Sequence, residues 1–157
     1  MLDILGNIDT ANYFIQDALF NTVQQGLEVR HNVYQGDGYF VDIVEARKNT
    51  FNVNITTLGR QNIARILVSK DEIVLRYSAK FMLTYKKKTD MFSTNLFDEP
   101  FDLEDIEATF FTQSTMVKYT DVQFSADVMS ETLQMIKVLF YAFEQFREER
   151  NKVNNHR

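Results

Sequence analysis

The chain contains no cysteine. Disulfides, thiolate zinc sites and cysteine nucleophiles are therefore excluded, and a reducing cytoplasm suits the composition. Histidine is almost as scarce, with only His31 and His156. Neither sits in an H-E-x-x-H pair, and no G-x-S-x-G elbow or recognisable triad spacing accompanies the serines. His31 is expected to close the first helix, where a cation is favoured. Five glycines are too few, and wrongly placed, for a phosphate-binding loop. Gln35-Gly36-Asp37-Gly38 follows an expected helix and precedes an expected strand, so it reads as a turn. No basic residue precedes Arg30, which leaves the N-terminus without the charged region of a signal peptide. No run of about 18 apolar residues offers a membrane span. There is no internal repeat and no low-complexity linker. A net charge of −5 argues against nucleic-acid phosphate as the main partner.

What remains is a chain of 157 residues, the size of one domain, with 14 Phe and 7 Tyr to fill a core. At that length a single core can bury about 70% of the unfolded surface. The pattern predicts an α+β fold over 1–157: an N-terminal helix, a mostly antiparallel curved sheet of about five to six strands, and a long C-terminal helix packed on the sheet. Ile15, Ala18, Leu19, Thr22, Val23 and Leu27 recur at helical spacing within about 10–28, with Thr10 or Asp9 as cap. Strands fall within 39–124. Phe51, Val53 and Ile55 alternate with Asn52, Asn54 and Thr56, and Ile63 to Ser69 is a further strand. The strongest period-2 signal runs from Ile73 to Tyr85, which predicts one long, bent strand. Two more strands are expected at Ile106–Thr112 and Met116–Phe124.

The last helix is expected over about 126–151. In LQMIKVLFYAFEQF, Leu133 to Phe146, ten of fourteen residues are apolar or aromatic. The apolar arc spans roughly half the circumference or more, wider than one sheet contact needs. Either the first helix flanks it, or one side is a subunit interface. The residues expected to form such an oligomer interface are Met135, Val138, Leu139, Phe140, Tyr141, Phe143 and Phe146. Beyond them, REERNK is expected to project into water.

Acidity is concentrated in one place. Asp98 to Glu107 holds six acids and no base, so the rest of the chain carries +1. The sole proline, Pro100, lies inside this interval and disfavours helix there. Aromatics surround it, and Lys86-Lys87-Lys88 lies just upstream. One reading is a solvated loop whose hydrophobic residues tuck onto the core. The other is a docking segment within 91–107, with aromatic anchors and acids that steer a basic partner. Its expected partner-binding residues are Phe97, Asp98, Glu99, Phe101, Asp102, Glu104 and Asp105.

Chemistry is harder to find. Asp102, Glu104, Asp105 and Glu107 do not fit a calcium loop. Asp42, Glu45 and Arg47, or Asp71, Glu72 and Arg76, resemble fragments of a metal-dependent nuclease. However, alternation puts Asp42 and Glu45 on opposite strand faces, and Asp71-Glu72 belongs to a hairpin tip. No catalytic, cofactor or metal residue is therefore assigned. The leading expectation is a non-enzymatic, homo-oligomeric protein-binding module: a small acidic chaperone, adaptor or inhibitor, cytoplasmic, that meets itself and another protein. The alternative is a structural assembly protein of a phage-like particle, such as a connector or tail-completion component, incorporated in a virion. A cavity-binding protein and a nuclease rank behind these.

Overall fold

The computed structural model describes residues 12–18, 31–36, 38–78, 81–95, 99–104 and 126–155. A short helix, α1, covers 12–18. Ile15 and Ala18 stand three apart on its buried face, while Tyr13 points outward. The remainder of the expected first helix lies outside the described residues.

Seven strands follow: β1 (His31–Gln35), β2 (Tyr39–Arg47), β3 (Thr50–Thr57), β4 (Asn62–Val68), β5 (Glu72–Ser78), β6 (Phe81–Lys86) and β7 (Met91–Thr94). Each is hydrogen-bonded antiparallel to its neighbours in the chain, giving one meander in the order β1 to β7. The count exceeds the expected five to six. His31 opens a strand paired with β2, so it does not close a helix. The glycine turn between β1 and β2 stands where expected. A side chain at Gly36 would collide with the Tyr39 ring, and Gly38 has φ +88°, so both positions require glycine.

The expected long strand from Ile73 to Tyr85 is instead a hairpin, β5 and β6. Its register explains why alternation ran straight through the turn. Ile73 faces Tyr85 and Leu75 faces Leu83. Residues opposite one another in an antiparallel pair point to the same side of the sheet. Each of these pairs joins two odd numbers, so the inward parity survives the reversal of direction. A bulge between Arg76 and Ser78 takes up the odd residue before the turn.

Inward residues of every well-described strand are buried: Val41 and Ile43, Phe51 and Ile55, Ile63 and Ile66, Leu75, Leu83 and Tyr85, and Phe92. Helix α2 (Ala126–Asn155) lies across this face. At 30 residues it is about 45 Å long. Phe143 packs on Phe51 at 5.4 Å between ring centres, and Phe140 packs edge-on to Tyr85 at 5.6 Å. Rings in contact thus fill the space where a ligand cavity might have opened. The buried residues form one hydrophobic cluster that includes Ile15 and Ala18 of α1. Asn12 Nδ2 donates to Thr132 Oγ1 at 2.8 Å, fixing α1 against the side of α2. The strands expected within 106–124 lie outside the described residues. Among the described residues no helix is long and apolar enough to cross a membrane.

Candidate functional site

A meander sends alternate turns to the same end of its sheet. The β2–β3, β4–β5 and β6–β7 turns therefore gather together, and the C-terminal half of α2 passes over them. An open groove of about 690 Å³ lies between them. Asn49 enters it from the first turn, Lys70 and Asp71 from the second, and Lys87 and Lys88 from the third. Glu144, Arg147, Glu148 and Asn151 enter from α2, one helical turn apart along its lower side.

Two arginines on this stretch of helix are held differently. Arg150 makes a fork on Glu45, with Nη1 donating to Oε1 at 3.1 Å and Nη2 to Oε2 at 2.7 Å. Nη2 also donates to Asn49 Oδ1 at 2.6 Å. The Asn49 backbone N–H completes the Glu45 carboxylate at 2.7 Å. Asn49 has φ 65°, the conformation that lets this tight turn present both its amide and its side chain. The Arg150 guanidinium lies 5.3 Å from the Phe146 ring centre. This is a matched, bidentate pair that pins α2 to the β2–β3 turn.

Arg147 has no such match. It is 5% exposed, yet its one hydrogen bond among the described residues runs from Nη1 to the Asn49 carbonyl at 3.1 Å. A guanidinium carries five N–H donors and stays charged in proteins. Burial, opposed by nearby Glu144, pulls its pKa below the ordinary arginine value. Glu144 itself is paired to Lys87, whose ammonium it holds above the usual lysine range by hydrogen bonding. Lys70 and Lys88 are exposed at the mouth. The groove thus holds a buried, under-bonded cation at its wall and mobile cations at its rim. Chemically it suits a carboxylate or another oxyanion.

A second polar cluster fastens the β6–β7 turn to α2. The buried Tyr85 hydroxyl donates to Asp90 Oδ1 at 2.6 Å and lies 3.3 Å from the Tyr141 hydroxyl. Lys137 Nζ reaches the same Asp90 oxygen at 3.0 Å. Burial, and then the bond to Asp90, push the Tyr85 phenol far above its ordinary pKa, so it stays protonated.

The residues singled out from sequence are placed unevenly. Of the expected oligomer interface, Met135, Leu139, Phe140 and Phe143 are buried within their own chain, and Phe146 is half-buried against Phe51. Only Val138 (52%) and Tyr141 (41%) are exposed. Gln134 and Gln145 stand beside Val138, so the outward face of α2 is polar around it. The wide arc was covered by the chain's own sheet together with α1.

Of the expected docking residues, Phe97, Asp98 and Asp105 lie outside the described residues. Glu99 and Glu104 are exposed and Asp102 is half-buried. Phe101 is not available as an anchor: it is 3% exposed and stacked on Phe92 at 6.2 Å. Its backbone exchanges two hydrogen bonds with Phe92, at 2.7 and 2.8 Å, adding one bridge to the β7 edge. An edge strand left unpaired would tend to recruit another chain, and this bridge supplies local cover. Among the described residues no three His, Asp or Glu side chains are grouped to hold a metal ion. Glu45, weighed as a nuclease carboxylate, is instead the partner of Arg150.

Sequence reasoning missed Arg147 and sent REERNK into water. The signal was present: Arg147 stands 18 residues, five full turns, after Met129, which is buried. Its charge masked its place on the core-facing line. No family model matches the chain, and neither curated proteins nor solved structures yield a match.

Proposed function

We propose that the chain is a non-enzymatic protein-binding module that works as a homo-oligomer, in the manner of a small acidic chaperone, adaptor or inhibitor. The observation that carries this reading is Arg147: a buried guanidinium with a single hydrogen bond, on the wall of an open groove rimmed by lysines. Burying a charge without a matched partner is costly. An incoming carboxylate would offset that cost, and the groove is broad enough for a peptide segment. Its partner is therefore an acidic stretch of protein. A cytoplasmic or virion setting accords with the absence of cysteine.

The test is fluorescence anisotropy with labelled peptides of scrambled acidic sequence, beside controls carrying Asn and Gln. The acidic peptides should bind saturably and weaken in salt, and Arg147→Leu should reduce their affinity by about tenfold, the scale of one charge-assisted pair. Equal binding of the neutral controls, or indifference to Arg147→Leu, would overturn the reading.

The second reading, a structural assembly protein of a phage-like particle, draws on one feature. The basic rim and the acidic segment are different patches of the same chain, and such patches make head-to-tail contacts that close into rings or extend as fibres. Growth past a dimer would favour it.

A further inference from the structure

We infer that the groove's acidic partner is residues 98–107 of a second copy of this chain, seated with a carboxylate on Arg147. This rests on the reading of the groove as a protein-docking site, and it names the occupant.

Charge is the first argument. The interval from Asp98 to Glu107 carries six acids and no base, and everything else in the chain sums to +1. No other stretch of the sequence offers so acidic a ligand. The groove offers Lys70 and Lys88 at its rim and Arg147 in its wall. Opposed patches of this kind steer encounter and fix register.

Order is the second. The paired backbones of Phe92 and Phe101 hold the middle of the segment against the sheet edge. Glu99 and Glu104, on either side of Phe101, remain exposed. A ligand already held in place loses less conformational entropy on docking. Phe101 then acts as the clamp that presents the acids, a role opposite to an anchor inserted into the partner.

Topology is the third. The groove lies at one end of the sheet beneath α2, and the segment lies along the β7 edge. Two distinct patches on one chain produce a heterologous contact, so each copy uses its groove for one neighbour and its segment for the next.

The experiment uses the full chain and two charge-reversal variants at exposed positions. One is Lys70→Glu with Lys88→Glu, in the groove. The other is Glu99→Lys with Glu104→Lys, in the segment. Solution mass by light scattering and sedimentation is followed for each, and for their equimolar mixture. Wild type should associate at low salt, and each variant alone should weaken association by about tenfold or more. The mixture should recover it, because each groove then meets a segment of opposite charge. Association unaffected by either reversal, or a mixture that fails to recover, would overturn the inference. A wild-type monomer that still binds scrambled acidic peptides would overturn the second-copy occupant while leaving the docking groove intact. A monomer that binds no acidic peptide would overturn both. A monomer destabilised by either reversal, and restored when both are combined in one chain, would place the segment in its own groove and likewise overturn it.

Discussion

Arg147 and Arg150 stand three residues apart on one helix, and their surroundings assign them different work. Arg150 is matched by Glu45 and Asn49, so removing it leaves a nearly buried carboxylate without its cation. Arg150→Met should cost about 2 kcal/mol, less than a fully buried pair because the guanidinium keeps some contact with water. Arg147→Met should change stability by no more than about 1 kcal/mol, since it removes one hydrogen bond and relieves an unmatched charge. Urea midpoints at constant slope measure both; equal losses would refute the distinction. Tyr85 gives a pH test. Its folded pKa is raised by burial and by the bond to Asp90, above an unfolded value of about 10. The stability it contributes is therefore complete below about pH 10 and declines as pH rises past it, because the unfolded chain ionises first. Tyr85→Phe should flatten that alkaline decline, and an unchanged slope between about pH 8 and 11 would exclude Tyr85 as its source.

At the scale of elements, α2 behaves as a core helix. Leu139 is completely buried among its own chain's residues, so Leu139→Asp should unfold the protein, at a cost above about 4 kcal/mol. Val138→Asp, one residue away on the outward face, should shift stability by less than about 0.5 kcal/mol. Circular dichroism melts separate the two; a folded Leu139→Asp monomer would restore the helix as a subunit interface. Much of this element was legible in sequence. The 3.6-residue spacing of Met129, Leu133, Ile136, Leu139, Phe140 and Phe143 marks the buried face. What spacing could not say was whose surface covers it, because that depends on α1 and on seven strands brought together by long-range pairing. Alternation likewise located Phe51, Val53 and Ile55, yet it passed unbroken through the β5–β6 turn. Parity records which side of a sheet a residue faces and is blind to a reversal in even register. β7 has four residues and depends on a partner, Phe101, that a local pattern does not reveal.

For the whole molecule, the meander decides where chemistry can gather. Three alternate turns and the last turns of α2 meet at one end, bringing together residues from 49 to 151 that no sequence window contains. That is why the acidic stretch, contiguous in sequence, was visible from the start, and the groove that complements it was not. The chain's 18.4 kDa mass sets the scale for the decisive measurement: absolute solution mass by light scattering at low and at high salt. The account predicts association at low salt that falls toward a single chain as salt is raised, because the contact joins charged surface groups. A mass of one chain under every condition, or a dimer indifferent to salt, would contradict it.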